Sequence, residues 1–456
     1  MALYELTIHE ARELIDGGEI SVEGLTESII HRIENIGSNM DAFVSLNVEN
    51  SLKDARIADG LLSRGKKLST LGGIPFGVQD NICTKDLKTS CGSRMLYNFI
   101  PPYDASIVRK LRDNHSIIIG KINMDEFGIG YTSGLAAGVA TGQAFYGLGS
   151  DIAGYLRQSA ASAGLVGFKP TYGLVSRFGL VSCASSLEQI GFITKDVRDC
   201  ADVLDEIAFY DDRDPASYKL RKPSYNQSLT SEVKGLKIGL PKEVFNENWD
   251  PDIRSAVEAA LKTYEGLGAE IVDIDIPHAK YAPSAHYIIT SGEASSNLAR
   301  YDGIRYGFRA QESENLEMAY KKTRTEGFGD EVKKRIMLGN LFLTSEYYHS
   351  HYIKALKVKT LLKEDFRKAY EKCNVIFTPT SPGLALEHED SQRYTLLANI
   401  VGLPAISIPC GFNEDTGSHV GMQLIGNLFR EDTLIRVANT FQLVGSLTLE
   451  APWNRR

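Results

Sequence analysis

Apolar residues recur along this sequence with two spacings, one typical of helices and one typical of strands. From residue 7 to residue 35 the spacing is helical, and the sequence supplies helix-start signals at Thr7, which has Glu10 three residues later, and at Ser21. We therefore predict two helices in this segment. The same spacing predicts further helices at 49–64, 251–264 and 300–359.

Short apolar runs bounded by glycine and proline predict buried strands. These runs are LGGIPFGVQDNICT (71–84), SIIIG (116–120), LKIGLP (236–241), NVIFTPTSP (374–382), PAISIPCG (404–411) and HVGMQLIG (419–426). Strand and helix signals alternate, which indicates the α/β class. We predict a single domain over 1–456, with a candidate subdomain seam near 210–235, where the chain becomes polar and turn-rich, and a helical insertion near 300–359.

Composition excludes several classes of protein. A chain of 456 residues with 43% hydrophobic content supplies a sizeable core, which excludes a disordered or fibrous protein. The net charge of −8 gives no overall attraction for nucleic acid. The N-terminal segment has no long apolar run, so we expect a cytoplasmic protein without a membrane span. The six cysteines and nine histidines lack metal-site spacing, so we expect reduced thiols, no metal and no other cofactor.

Four segments resemble the amidase-signature family, and two more resemble its tRNA-dependent amidotransferase A subunits. The four are GGIPFGVQDNICT (72–84), GKINMDEFGIG (120–130), the stretch 149–191 that begins GSDIAGYLRQ, and VGLPAISIPCGF (401–412). The two are EASSNLARYDGIRYGFR (293–309) and KKTRTEGFGDEVKKRIMLG (321–339). The resemblance implies a large mixed β-sheet core surrounded by helices, a catalytic triad of two serines and a lysine, and a protein partner.

All three positions of that triad are substituted in this sequence. Gln79 stands where the family has its lysine base, and an amide side chain cannot take up a proton near neutral pH. Tyr155 stands where the family has its nucleophilic serine, and a phenol is a poor nucleophile at neutral pH. Counting backwards from Gly149 puts Tyr131 at the position of the relay serine, next to a loop that is shortened here. We therefore expect that the family's mechanism is lost.

The loop that carries the nucleophile in the family keeps other residues of the motif. The resemblance assigns the oxyanion hole to backbone N–H groups, here those of Ile152, Ala153 and Gly154, which do not depend on side chains. An anion-binding loop is therefore an expected relic. Asp151 and Arg157 are also kept, and we interpret them as structural residues that hold the turn together.

Arg335 matches the arginine that binds the α-carboxylate of glutamine in the family's amidotransferase members. Its guanidinium suits a bidentate contact with a carboxylate, which suggests a carboxylate-bearing small molecule as a ligand. A salt bridge on a helix surface is the alternative role of this residue. Gln392 takes the place of the acidic residue that would hold the ligand's amino group, in a segment that is also shortened here.

Three hypotheses of function follow. The first is a pseudoenzyme or partner subunit without serine amidase or glutaminase activity. The second is a repurposed enzyme for acyl transfer, condensation or cyclisation in a specialised biosynthetic pathway, in which Tyr155, Tyr131 or Gln79 positions a substrate. The third is an active amidase or amidotransferase with a relocated nucleophile, such as Ser133 or Ser159. An open cavity would favour the second hypothesis over an inert scaffold.

Overall fold

A computed structural model describes residues 2–36, 42–130, 134–219, 224–311, 313–383 and 389–444. Eleven strands form one sheet. In chain order they are β1 (Phe43–Leu46), β2 (Pro75–Gln79), β3 (Ile117–Ile122), β4 (Tyr146–Asp151), β5 (Val166–Lys169), β6 (Gln189–Thr194), β7 (Lys237–Pro241), β8 (Glu270–Ile274), β9 (Val375–Pro379), β10 (Ala405–Asn413) and β11 (Ser418–Gly426). Each of the six sequence segments predicted as strands overlaps a strand, namely β2, β3, β7, β9, β10 or β11.

Helices surround this sheet. In chain order they are α1 (Ile8–Asp16), α2 (Val22–Asn35), α3 (Val48–Leu62), α4 (Ser106–Asp113), α5 (Gly134–Ala140), α6 (Tyr155–Ser162), α7 (Val197–Ile207), α8 (Lys242–Phe245), α9 (Pro251–Gly266), α10 (Ala282–Asn297), α11 (Leu316–Gly327), α12 (Asp330–Phe342), α13 (Ile353–Ala369), α14 (Leu396–Val401) and α15 (Glu431–Val444). The predicted start signals are confirmed, since Thr7 accepts a hydrogen bond from the Glu10 N–H and Ser21 accepts one from the Gly24 N–H.

The sheet mixes parallel and antiparallel pairs. Its strand order is β1-β3-β2-β4-β6-β5-β10-β11-β9-β7-β8. Strand β2 runs parallel to both of its neighbours, whereas β4 and β5 pair antiparallel with β6. The predicted class, an α/β fold with a large mixed sheet surrounded by helices, is confirmed.

Two features of the predicted organisation need comment. The strands before and after 210–235 belong to the same sheet, so the predicted seam does not separate two sheets. The prediction of a mostly helical stretch over 300–359 is wrong for 301–311, where the chain forms bends and irregular segments. Backbone placement there is set by tertiary contacts such as the Phe308 N–H bond to the Met95 carbonyl (2.9 Å), which sequence spacing does not reveal.

The interior is apolar and contains the cysteines. All six cysteines are buried free thiols, as predicted. Among the described residues, no helix combines the length and the apolar character that crossing a bilayer requires.

One buried ion pair joins the end of β4 to α6, and its arginine also binds the C-terminal part of the chain. The Arg157 Nε lies 2.8 Å from a carboxylate oxygen of Asp151, and neither side chain is exposed. The same guanidinium donates to the Thr395 carbonyl (3.0 Å), to the Asn399 side chain (2.5 Å) and to the Gln423 side chain. Burial by itself raises the pKa of Asp151, but the adjacent guanidinium more than offsets this effect, so the pKa is lowered. The geometry agrees with a structural role for both residues.

We expect the substitution Arg157→Met to lower the free energy of unfolding by about 3–5 kcal/mol, because it leaves the Asp151 carboxylate buried without its partner. Urea denaturation measures this loss. The matched control is Arg367→Met on α13, where the guanidinium lies 2.8 Å from Glu364 on an exposed surface. Solvent screens that pair, so little change is expected. Equal losses in the two variants would contradict the structural role of Arg157.

Candidate functional site

A cavity of about 120 Å³ lies where the β4–α6 loop meets the end of β2 and the helices α10 and α12. It brings together most of the residues that the sequence predicts for the site. The predicted residues that line it are Gln79, Ile152, Ala153, Tyr155, Arg335 and Gln392. These residues are up to 313 positions apart in sequence (392 minus 79), so the sheet and its covering helices create their proximity.

Gln79 is the last residue of β2, and a hydrogen bond to its amide oxygen fixes the orientation of its side chain. The backbone N–H of Ser150 donates to the Gln79 Oε1 at 2.7 Å, and the side chain is only 6% exposed. A backbone N–H can only donate, so the atom facing it is the amide oxygen. The Gln79 Nε2 has no hydrogen-bond partner among the described residues, and the side chain lines the cavity. Gln79 therefore presents a hydrogen-bond donor to the cavity.

The β4–α6 loop lines the cavity with Ile152 and Ala153, but Gly154 differs from the prediction. The Gly154 N–H donates to the Asp151 carboxylate at 2.5 Å, so this group is not available to an anion. The N–H groups of Ile152 and Ala153 donate to none of the described residues. Only two of the three predicted backbone donors therefore remain open to a ligand.

Tyr155 begins α6 and lines the cavity without filling it. Gly154 precedes it with a positive φ of 96°, a conformation that favours glycine. Tyr131 and Ser133 lie outside the described residues, so their predicted places in the pocket stay predictions. The other candidate nucleophile, Ser159, donates its hydroxyl to the Leu156 carbonyl (3.1 Å) and is not among the cavity residues.

Arg335, on α12, is 17% exposed and reaches the cavity wall. Its guanidinium lies 4.1 Å from the ring centre of Tyr287 and 3.7 Å from a carboxylate oxygen of Glu331 one turn earlier on the helix. It also donates to the Thr290 hydroxyl at 3.4 Å. Both predicted roles are therefore geometrically open, since the side chain pairs along the helix and also lines the cavity.

Sequence reasoning missed His286, which lines the cavity from α10 and is only 9% exposed. Its Nε2 donates to the Ile152 carbonyl at 3.0 Å. Because a carbonyl only accepts, Nε2 carries the proton and Nδ1 is left as an acceptor. Burial lowers the pKa of His286 to about 4, and the positive charge of Arg335 contributes to this lowering, so the ring is neutral at pH 7. The spacing of His286 and Thr290, one helical turn apart, was the available signal.

Cys183 also lines the cavity but does not supply a nucleophile. It is only 2% exposed, and burial raises the pKa of its thiol well above the ordinary value. A protonated thiol is a weak nucleophile.

Ser150 is another cavity residue with a hydroxyl group. This hydroxyl accepts a hydrogen bond from the Asn81 side chain at 2.8 Å, and the described cavity residues include no lysine that would activate it.

The amidase family model matches residues 24–134 and 132–435 of this chain. The chain belongs to the amidase family. It is 46% identical over 475 aligned positions to the A subunit of a glutamyl-tRNA(Gln) amidotransferase from Caldanaerobacter subterraneus subsp. tengcongensis, with 97% of each chain covered. These 475 positions exceed the 456 residues of this chain, so the alignment contains gaps here, as shortened loops require.

Solved amidase structures share the fold. The crystal structure of the A subunit of the glutamyl-tRNA(Gln) amidotransferase from Thermotoga maritima superimposes with a TM-score of 0.78 at 31% identity, covering 97% of this chain and 95% of that one. The native peptide amidase from Stenotrophomonas maltophilia gives a TM-score of 0.83 at 25% identity, with 96% of each chain covered. The resemblance predicted from sequence motifs is confirmed.

This amidase-family chain has one cluster of metal-ligand side chains among the described residues, and it lies away from the cavity. The cluster is His9, Asp196 and Asp199. The Asp199 carboxylate accepts the backbone N–H groups of Ile8 (2.8 Å) and His9 (3.2 Å), so it caps the start of α1. These contacts give the cluster a structural role, and the expectation that the protein uses no metal stays a prediction.

We expect His286 to make the protein less stable as pH falls from about 6.5 to about 4. In this window the unfolded chain binds a proton that the folded protein does not bind, so unfolding becomes easier. Urea midpoints at pH 7.5 and pH 5.0 should show that His286→Gln loses less stability than the wild type, by about 2 kcal/mol. The exposed His349→Gln is the matched control. An acid-induced loss identical in all three proteins would show that the His286 ring is not held neutral.

Proposed function

We propose that this amidase-family protein is a non-hydrolytic relative of the amidotransferase A subunits that binds a small carboxylate in its cavity. In this proposal Gln79 and Tyr155 take the places of the family's catalytic lysine and serine, and Arg335 binds the carboxylate of the ligand. The similarity to curated A subunits over 97% of the chain supports a comparable role beside a protein partner. The location in the cytoplasm stays a prediction.

The observation that carries the proposal is the orientation of the Gln79 amide. Its oxygen is bound to the Ser150 N–H at 2.7 Å, so the group at the former base position faces the cavity as a donor. A general base must accept a proton within hydrogen-bond reach of the attacking group. An amide N–H₂ does the opposite, so the former base position supplies no base to Tyr155 at the nucleophile position.

Among the described residues, the four lysines with a lowered pKa are Lys121, Lys169, Lys195 and Lys359, and none of them lines the cavity. Burial lowers the pKa of Lys121 to about 8 and that of Lys169 to about 7. The ammonium of Lys121 donates to the Ile82 carbonyl and to the Thr84 hydroxyl (3.1 Å), and that of Lys169 donates to the Pro170 carbonyl (2.9 Å). Their positions support structural roles rather than a relocated base.

The open cavity favours a second candidate function, a repurposed enzyme. Tyr155 lines the cavity together with the neutral imidazole of His286, and both side chains are able to take part in proton transfer. Such an enzyme would catalyse acyl transfer, condensation or cyclisation without the family's serine. This candidate shares the non-hydrolytic cavity with the first and differs only in whether the bound molecule reacts.

We expect the pure protein to release no ammonia from glutamine, asparagine or simple primary amides, because Gln79 and Tyr155 stand where the family has its lysine base and its nucleophilic serine. A coupled ammonia assay checks this, with an amidase relative that keeps its lysine and serines as the positive control. Turnover by the wild type that disappears in Tyr155→Phe would contradict the proposal.

We expect small carboxylates to raise the melting temperature of the wild type, because a ligand that binds only the folded state stabilises it. Arg335→Met should weaken this binding at least tenfold, since it removes a charged hydrogen-bond donor. Lys334→Met on the same helix is the matched control, because Lys334 is exposed and lies outside the cavity. A ligand response that is equal in both variants would show that Arg335 serves only the helix surface.

A further inference from the structure

Two side chains that line the cavity, Gln79 and His286, have opposite hydrogen-bonding character. Gln79 is 6% exposed and His286 is 9% exposed, and both line the cavity. The Gln79 Nε2 and the His286 Nδ1 have no hydrogen-bond partner among the described residues. Buried polar groups are normally satisfied, so two such atoms beside one cavity point to a ligand or to solvent that satisfies them.

The anchoring bonds fix which of the two atoms donates and which accepts. The Gln79 oxygen is bound to the Ser150 N–H, so its nitrogen faces the cavity as a donor. The His286 Nε2 is bound to the Ile152 carbonyl, so its Nδ1 remains an acceptor. Neither assignment depends on a choice of tautomer or amide flip, because a backbone N–H only donates and a backbone carbonyl only accepts.

The same bonds place the two side chains close together. Ser150 lies in β4 and Ile152 just after its end, so their Cα atoms are at most roughly 7 Å apart. A cavity of about 120 Å³ is comparable with the cavity of about 150 Å³ that holds benzene in another protein, so it suits a ligand of few atoms. Both side chains line this cavity, so a single small ligand within it lies next to both.

We infer that the cavity selects small carboxylates that also carry a neutral N–H or O–H group, with His286 as the residue that sets this specificity. This inference rests on the proposed function, in which Arg335 binds the carboxylate. The Gln79 amide donates to an oxygen of the ligand, and the His286 Nδ1 accepts from the ligand's N–H or O–H. A ligand without that N–H or O–H leaves the His286 Nδ1 unsatisfied. This penalty separates the two kinds of ligand more strongly than the gain of one hydrogen bond does.

Two probes of nearly the same shape test the inference. Succinamate and 4-oxopentanoate share a carboxylate, a two-carbon spacer and a carbonyl, and differ in an NH₂ group against a methyl group. Calorimetric titration of the wild type should give succinamate at least a roughly tenfold lower Kd. In His286→Phe the affinity for succinamate should fall to that of 4-oxopentanoate, while the affinity for 4-oxopentanoate should stay within a few fold.

The outcome for 4-oxopentanoate separates specificity from a structural role. If His286 only held the loop through the Ile152 carbonyl, His286→Phe would weaken both probes equally and would overturn the inference. The exposed His349→Phe should leave both affinities unchanged. The preference should also persist from pH 8 to pH 5.5, because the ring stays neutral in that range, whereas an exposed histidine would protonate there.

The results also distinguish this inference from the proposed function. Equal wild-type affinities for the two probes would overturn the inference and leave the carboxylate site intact. Binding of neither probe would overturn both. Conversion of succinamate to succinate and ammonia would overturn the non-hydrolytic proposal, while a lower Kd for succinamate would still support His286 as the acceptor.

Discussion

The buried ion pair between Asp151 and Arg157 is the interaction on which the candidate site depends. It joins the end of β4 to α6 inside the protein. The guanidinium also donates hydrogen bonds to three residues from the C-terminal part of the chain, Thr395, Asn399 and Gln423. An unpaired charge at this depth is very unfavourable, so the two residues must stay together. The pair thereby fixes the path of the loop between them, whatever side chains that loop presents.

This constraint explains how the cavity keeps its backbone frame with Gln79 and Tyr155 in its lining. Tyr155 begins α6, between the two residues of the ion pair, and it lines the cavity. Gln79 is held by the backbone N–H of Ser150, one residue before the ion pair. The same frame offers the Ile152 carbonyl to His286. The backbone next to the ion pair therefore orients the Gln79 amide and the His286 ring, both of which line the cavity.

Much of the fold could be predicted from the sequence because its signals are local. The capping box at Thr7 and the apolar runs of the strands act within a few residues, and the structure contains the predicted elements. The prediction was wrong for 301–311, where long-range contacts such as that of Phe308 with Met95 decide the backbone. In the site, Gln79, Tyr155 and Arg335 could be predicted from motifs. His286 was missed, because its one-turn spacing from Thr290 puts the two on one helix face but does not say what that face contacts.

The sequence by itself determined the family and the mixed α/β class, and it predicted the substitution of the triad, since each of these is a matter of which residue type stands in a motif. Only the tertiary structure decided how the substituted side chains are oriented. There the Gln79 oxygen accepts a hydrogen bond from the Ser150 N–H, the Gly154 N–H donates to Asp151, and His286 donates to the Ile152 carbonyl. The physical reason is that a hydrogen-bonding role depends on the partner, and these partners are brought together by the sheet from distant parts of the chain.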